Sequence, residues 1–178
     1  PKKQVYQKSQ EGTLTEVGNW TTGWTTNGYR LIRYADVLLL LAECQIELND
    51  LDGARSNINR VRARAANPDG FVKDEEGSNA ANYQISEYPS AGFPFDSKEN
   101  ARKALQMERK LELGMEGHRF FDLQRWGIVE PELRRILAYE RTELVALYNV
   151  ADIGPEDIHY PIAQPEIDLM DGRLVQNR

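Results

Sequence analysis

The sequence lacks the features that mark several large classes of protein. It has one cysteine, Cys44, so no disulfide can form within the chain. It has 22 basic residues against 28 acidic ones, and the net charge of −6 disfavours nucleic-acid binding, which needs a basic surface. The longest apolar run, residues 37–42, is far shorter than the roughly 20 residues that span a bilayer.

A targeting segment is also missing from the sequence. Residues 1–10 lack the apolar run of a signal peptide, and the first residue is Pro1 rather than methionine. We therefore expect a fragment or processed form of a longer protein, with any membrane anchor upstream. The sequence has 178 residues, of which 40% are hydrophobic and 28% are charged. This length and composition are typical of one globular domain.

Two helices are predicted in the first half of the chain. Between Tyr29 and Leu48, one set of apolar residues recurs at helical spacing, and further apolar residues form a second face of the same helix. This pattern predicts a helix that is buried between two layers. Cys44, beside these leucines, is expected to be a small core residue. A turn with Asp50 as N-cap precedes a second helix over residues 51–66. So short a connection favours an antiparallel hairpin of tetratricopeptide type.

The rest of the chain predicts further helices around irregular segments. We expect a single all-α domain of tetratricopeptide-like helical pairs with long irregular loops, because no set of alternating strands is present. A third helix should bury Ala101, Ala104, Met107 and Leu111, with Asp96 and Glu99 as a capping box. The expected segments are a loop lead-in (1–28), the hairpin (29–66), a long loop (67–96), helices (97–149) and an irregular tail (150–178).

The stretch from Met107 to Gly127 concentrates charge. Glu108, Glu112 and Glu116 lie four residues apart on one helical face, so they could divide acid and base duties or form a salt-bridged face. The second interpretation is favoured, since glutamates at this spacing are common on paired helix surfaces. Arg119 and Arg125 would then clamp one helix to its neighbour through bidentate bonds to Glu108 or Glu112, with Phe121 and Trp126 as apolar anchors.

His118 and Asp122 are four residues apart, as in an oriented catalytic histidine. No nucleophile or second histidine is nearby in the sequence, so neither a triad nor a zinc site of H-E-x-x-H type is assembled. A packed, hydrogen-bonded histidine is the favoured interpretation.

Three segments together resemble a known family. "YRLIRYADVLLLLAECQIELND", "ALQMERKLELGMEGHRFFDLQRWG" and "HYPIAQPEI" with the terminal Gln176 and Asn177 are similar, in order and spacing, to the C-terminal region of the SusD/RagB family of outer-membrane nutrient-binding lipoproteins. The similarity covers roughly residues 29–66, 98–127 and 158–177. Members of that family are longer, which implies that this chain is the C-terminal part of a SusD-like protein.

The resemblance implies a protein without catalytic activity. It implies binding of a glycan or other nutrient at the extracellular face of the outer membrane, through a lipid anchor upstream of this chain, and delivery to a TonB-dependent transporter of SusC type. No catalytic residue, metal or cofactor is implied. The family signature is a structural framework, and here its residues include Glu108, Arg109, Glu112, Glu116, Arg119, Asp122, Arg125 and Trp126.

Candidate ligand-binding residues come from two loops. Trp20 and Trp24, with Asn19 and Asn27, combine aromatic platforms with amide hydrogen-bonders on a glycine-rich segment, although a tryptophan there could instead pack over the first helix. The loop 67–96 adds Tyr83 and Tyr88, with Phe71 and Phe93. Its acidic residues do not fit an EF-hand, so no metal site is predicted.

Three functions are compatible with these residues. The first is a nutrient-binding module for a transporter, and the second is a tetratricopeptide-like scaffold for protein–protein interaction. A glycoside hydrolase that uses paired glutamates is disfavoured, because its carboxylates should project into a cleft rather than line a regular helical face.

Overall fold

A computed structural model describes residues 12–13, 30–148 and 150–176. The predicted lead-in loop and its candidates Asn19, Trp20, Trp24 and Asn27 lie outside the described residues. The helices are α1 (Tyr34–Glu47), α2 (Leu51–Ala66), α3 (Lys98–Glu112), α4 (Arg119–Arg125), α5 (Val129–Glu143), α6 (Val145–Tyr148) and α7 (Gln164–Leu169). Short 3-10 turns occupy Pro68–Gly70 and Pro155–Ile158. Extended pairing in the described part is limited to one bridge, between Lys73 and Asn79.

The chain divides into two compact units, unit 1 (Pro1–Met115) and unit 2 (Glu116–Arg178). The all-α, tetratricopeptide-like fold class predicted from the sequence is confirmed. The organisation as one domain with five segments stays a prediction.

The helical hairpin is formed by α1 and α2, and α2 has the bounds expected from the sequence. Asn49 adopts a positive φ of 65°, which lets the chain reverse, and asparagine tolerates that region better than most residues. Asp50 then caps α2, because its Oδ1 accepts a hydrogen bond of 3.0 Å from the Gly53 amide.

The core of unit 1 lies between α1, α2 and α3. Each helix supplies residues with almost no exposed surface, for example Leu39, Ile58 and Leu105. The end of the long loop adds Phe95, and Tyr88 packs against the cluster from its edge. The three helices therefore form one packed body.

Burial on α1 differs from the expectation. The helix was predicted to be buried on two faces, but Val37, Leu40 and Leu41 are exposed, and so is Cys44, which was expected in the core. The helix contacts α2 and α3 on two sides, and these residues occupy the third.

Helix α3 also departs from its predicted pattern. Ala101 and Ala104 are buried as expected, whereas Met107 and Leu111 are exposed. The charged side chains of Glu108, Arg109 and Glu112 take the inward positions instead. Ser97, rather than Asp96, is the N-cap, since its side chain accepts a hydrogen bond from the Asn100 amide.

Unit 2 contains the shorter helices. Gly117 and Gly127, which flank α4, have positive φ values of 82° and 69° that favour glycine. Helix α5 ends at Glu143 and α6 begins at Val145, and Leu144 and Leu147 are exposed. Helix α7 lies within the C-terminal segment of residues 150–178.

Candidate functional site

Three buried charges on α3 bind partners on the other two helices of unit 1. Arg109 Nη1 donates to Asp36 Oδ1 at 2.8 Å, and both side chains are almost fully enclosed. Arg62 Nη1 donates to Glu108 Oε2, also at 2.8 Å. Acid and base are thus matched across the contacts of α3 with α1 and α2.

Glu112 is the most heavily bound of these carboxylates. Arg33 donates from Nη1 to Glu112 Oε1 at 2.8 Å and from Nη2 to the Glu112 backbone carbonyl at 2.9 Å. Arg64 Nη2 donates to Glu112 Oε2. We call the set Arg33, Asp36, Arg62, Arg64, Glu108, Arg109 and Glu112 the ionic frame.

The ionic frame encloses its carboxylates among arginine side chains. Burial raises the pKa of the Glu108 carboxyl, while the Arg62 guanidinium acts in the opposite direction. The Arg62 guanidinium holds the Glu108 carboxylate inside the helical body, so this group is poorly placed to exchange protons with a substrate. Buried pairs of this kind fix geometry, because breaking one leaves an uncompensated charge.

The second half of the long loop is strapped onto α2. Arg55 donates to the Ser90 carbonyl at 2.7 Å, Asn59 to the Tyr88 carbonyl at 2.9 Å, and Arg62 Nε to the Ser86 carbonyl. We call residues 86–90 the strap. The Tyr88 amide also donates to Asn59 Oδ1 at 2.8 Å, so Asn59 satisfies both backbone groups of one residue.

The spacing of these bonds follows from helix and strand geometry. Arg55, Asn59 and Arg62 lie on one side of α2, separated by about 6 Å and about 4.5 Å along the axis. Alternate residues of an extended chain are about 6.6 Å apart and present carbonyls in the same direction. One face of a helix can therefore bind every second carbonyl of the strap, which runs antiparallel to it.

Tyr88, a predicted ligand contact, lies within this arrangement. Its ring has the Arg62 guanidinium above it at 4.4 Å from the centroid and the Phe95 ring edge-on at 5.4 Å. The side chain is half-buried, and burial raises the pKa of its hydroxyl. These contacts tie Tyr88 to the core and to the ionic frame.

Tyr83, the other described candidate, belongs to a small hairpin in the first half of the loop. Its ring stacks on Phe71 with centroids 4.1 Å apart, and its hydroxyl accepts a hydrogen bond of 3.1 Å from the Val72 amide. The Lys73–Asn79 bridge and the Asp74 side chain, which accepts from the Ser78 amide, close the turn. The structure therefore separates Tyr83 from Tyr88, one in a projecting hairpin and one in the strap. Phe93, in contrast, is 71% exposed.

The remaining residues of the expected framework lie in unit 2. Arg119 pairs with Glu132 at 3.3 Å and Arg125 with Asp122 at 2.9 Å, and the bonds to Glu108 or Glu112 stay a prediction. The guanidinium groups of Arg125 and Arg119 lie over the Trp126 ring, at 4.8 Å and 6.0 Å from its centroid. Asp122 is buried, and Glu116 and His118 are half-buried. The binding and framework assignments made from the sequence stay predictions.

Several residues of this arrangement were missed by the sequence analysis, among them Asp36 and Asn59. Asp36 stands in a run of apolar residues on α1, and a charge at an inward position is a signal that a buried partner exists. Asn59 gave no comparable signal, because its partner is backbone in a distant loop.

In residues 12–13, 30–148 and 150–176, no group of three or more histidine, cysteine, aspartate or glutamate side chains is placed to hold a metal ion. The helices found there are all too short or too polar to cross a bilayer.

The fold and the site define a class: a tetratricopeptide-like helical scaffold with an ion-paired interior that straps a long loop to its surface. The family model described as SusD family matches residues 4–178, and the chain belongs to that family.

Individual relatives agree with this assignment. The chain is 38% identical over 99 residues to a SusD-like protein P25 of Formosa agariphila, which covers 56% of this chain and 15% of the relative. It is similar to the crystal structure of a SusD superfamily protein from Bacteroides vulgatus ATCC 8482, with a TM-score of 0.55 and 29% identity over 82% of this chain and 27% of that one. The chain thus spans well under a third of the length of either relative.

Proposed function

We propose that this chain is part of a cell-surface protein that binds a glycan or other nutrient without chemical turnover and delivers it to a TonB-dependent transporter of SusC type. Family membership over residues 4–178 is the single observation that carries the proposal. The full-length protein is attached to the outer face of the outer membrane by a lipid upstream of this chain.

The geometry of unit 1 favours a structural role for its helices. The acidic side chains that could perform hydrolysis, Glu108 and Glu112, are bound by arginines inside the helical body. Sugar binding requires aromatic faces and amides at an accessible surface. In this proposal the ligand contacts lie on loops, with Tyr83 in the projecting hairpin and Trp20 and Trp24 in the lead-in segment.

The second candidate function is a protein–protein interaction scaffold. It is favoured by the tetratricopeptide-like hairpin and by the apolar side chains that α1 leaves exposed. Such a scaffold would recognise a protein partner through a helix face and would be indifferent to carbohydrate.

The two functions are separated by titrating the full-length protein with a panel of soluble polysaccharides. We expect saturable quenching of tryptophan emission by at least one glycan, confirmed by calorimetry, with no reducing sugar released. Trp20→Phe and Trp24→Phe should reduce the quenching amplitude, and Trp126→Phe, at the C-cap of α4, serves as the matched control.

Contrary outcomes are distinct from one another. No response to any glycan, together with co-purification of a protein other than a transporter, would establish the scaffold instead. Release of reducing sugar by a pure sample would instead support the glycoside hydrolase function.

A further inference from the structure

Arg62 on α2 binds two other parts of unit 1 at once. Its Nη1 donates to Glu108 Oε2 on α3 at 2.8 Å, and its Nε donates to the carbonyl of Ser86, the first residue of the strap. The same guanidinium lies 4.4 Å from the centroid of the Tyr88 ring. One side chain therefore joins the helical body to the loop that follows α2.

The carboxylate of Glu108 fixes the direction of this guanidinium. Glu108 is 5% exposed, and the side chain of Arg62 is 17% exposed. A guanidinium is a planar group whose donors have fixed directions, so the bond from Nη1 to Glu108 also sets the direction of Nε. The bond to Glu108 therefore prepares Arg62 to bind the Ser86 carbonyl.

The far end of the strap is held differently. Arg55 donates to the Ser90 carbonyl, but its carboxylate partner Asp52 is 84% exposed. An exposed ion pair holds a side chain weakly, because water competes for both charges. Of the two ends of the strap, the end at Ser86 is thus the more firmly attached to α2.

The projecting hairpin, residues 71–83, has contacts that fix its shape. The Phe71 and Tyr83 rings stack on each other, and the Ala80 amide donates a hydrogen bond of 2.9 Å to the Val72 carbonyl. Nearly all of its residues are exposed. Contacts within the hairpin determine its conformation, whereas its position on the helices depends on how its two ends are attached.

Both ends of the hairpin are attached to α2 through short segments. On one side, the 3-10 turn Pro68–Gly70 follows α2 after Asn67. On the other side, two residues separate Tyr83 from Ser86, which corresponds to at most about 11 Å of extended chain. The bond from Arg62 to Ser86 is therefore close enough to determine where Tyr83 lies.

We propose that Arg62 is a positioning residue for ligand binding. Held by Glu108, it fixes the Ser86 end of the strap and so determines where the projecting hairpin presents Tyr83 to the glycan or other nutrient. Arg62 acts through the loop and not by contact with the ligand. This role rests on the proposed function, in which Tyr83 contacts the ligand.

A distance measurement in the full-length protein tests the positioning. Nitroxide labels are attached at Glu76→Cys in the hairpin and at Ser56→Cys, an exposed position of α2, with the other free cysteines replaced by serine. Pulsed electron paramagnetic resonance gives the distribution of distances between the labels. Arg62→Lys keeps a positive charge beside Glu108 but lacks the fork that reaches Glu108 and Ser86 together. We expect this variant to broaden the distribution at least about twofold.

Arg64→Lys is the matched control. Arg64 lies two residues further along α2 and binds Glu112 on α3, so the same substitution there leaves the bond to Ser86 in place. We expect its distance distribution to equal that of the unaltered protein. An unchanged distribution in Arg62→Lys would overturn the proposal, because a purely structural role for Arg62 lowers the unfolding midpoint alone. Equal broadening in the two variants would overturn it as well.

The affinity for the polysaccharide that quenches the unaltered protein provides the second measurement. Per folded molecule, Arg62→Lys should raise the Kd at least about fivefold, whereas Arg64→Lys should leave it within about twofold. Lysine is chosen over alanine because Arg62→Ala would leave Glu108 buried without its partner.

Failure of this role and failure of the proposed function give different results. Equal affinity of the two variants for the glycan would overturn the role of Arg62 and leave the proposed function standing. An unaltered full-length protein that binds no glycan or other nutrient would overturn the proposed function, and the role of Arg62 in ligand binding with it.

Discussion

The two units of the chain are held together by different means. Unit 1 has an apolar cluster between three helices, and buried ion pairs join these helices to one another. Unit 2 has three buried residues in its described part, Asp122, Leu123 and Val129. The two units therefore differ in what stabilises them: apolar burial and enclosed charges in unit 1, and hydrogen bonds from side chains to the backbone in unit 2.

The polar bonds of unit 2 join side chains to distant backbone. Gln124 donates to the Ile158 carbonyl, and Arg141 donates to the carbonyls of Tyr148 and Ala151. Gln176 binds both backbone groups of Ile162, accepting from its amide at 2.8 Å and donating to its carbonyl at 2.9 Å. Such bonds are individually worth about 1 kcal/mol, so unit 2 should tolerate the loss of one.

The largest effect is expected from breaking the most enclosed ion pair. Arg109→Ala leaves the Asp36 carboxylate buried beside a void, which should lower the free energy of unfolding by about 3–5 kcal/mol. Urea denaturation measures the change. Arg134→Ala, whose ion pairs in unit 2 are largely exposed, should cost less than about 1 kcal/mol. Equal losses would remove the distinction between the units.

A smaller effect is expected from detaching the strap. Asn59→Ala removes both hydrogen bonds to the Tyr88 backbone and should cost about 1–3 kcal/mol. Hydrogen exchange at the Tyr88 amide should accelerate, while amides in the centre of α2 remain protected. Asn79→Ala, in the projecting hairpin, is the control and should leave the Tyr88 amide unchanged; an unaltered exchange rate in Asn59→Ala would show that the strap is held by other contacts.

The matching change in unit 2 is Gln176→Glu. The glutamate keeps an acceptor for the Ile162 amide but loses the donor to its carbonyl, so we expect a loss of about 0.5–1.5 kcal/mol. Faster hydrogen exchange of the amides near Ile162 would report it. Gln106→Glu on α3 introduces the same charge and serves as a control. Equal effects of the two variants would mean that the charge, rather than the loss of the hydrogen bond between Gln176 and Ile162, is responsible.

The smallest effect concerns pH. Hydrogen bonds from Arg102 and Lys98 lower the pKa of the Glu47 carboxyl from 4.5 to about 2. A lowered pKa in the folded state gives a stabilisation that is present above pH 4.5 and is lost as the pH falls towards 2. The group is largely exposed, so the effect should be small and reduced by salt.

Comparing Glu47→Gln with Glu108→Gln tests the sign. Glu47→Gln should flatten the acid limb of the stability profile. The raised pKa of Glu108 has the opposite linkage: its burial penalty is relieved as the pH falls through that pKa, so this substitution should not flatten the same limb. Identical profiles for the two variants would contradict this difference.

Local signals predicted much of the helical structure. The Asp50 cap placed the start of α2 correctly, because a cap depends on neighbouring residues. The inward face of α3 was partly wrong, since periodicity assigned Met107 and Leu111 to the core while Glu108 and Arg109 occupy it. A pattern of apolar residues cannot reveal a buried charge whose partner is 73 residues away in the chain.

The candidate site was less accessible from sequence. Tyr83 and Tyr88 lie in one loop and look equivalent as aromatic residues, but contacts with Phe71 and Arg62 give them different environments. Those contacts depend on how the loop folds back on α2, which no spacing within the loop encodes. Leu40 and Leu41 of α1 were expected in the core because hydrophobicity gives a tendency towards burial, and it does not determine which residues are packed against neighbouring helices.

We expect the ionic frame to support the protein rather than to bind the ligand. The decisive measurement is the affinity of full-length Arg109→Ala, per folded molecule, for the polysaccharide that quenches the unaltered protein, made below its lowered unfolding midpoint. We expect the midpoint to fall while the Kd remains within about twofold. A Kd at least about tenfold weaker in a fully folded sample would place this cluster in the ligand site and contradict the account.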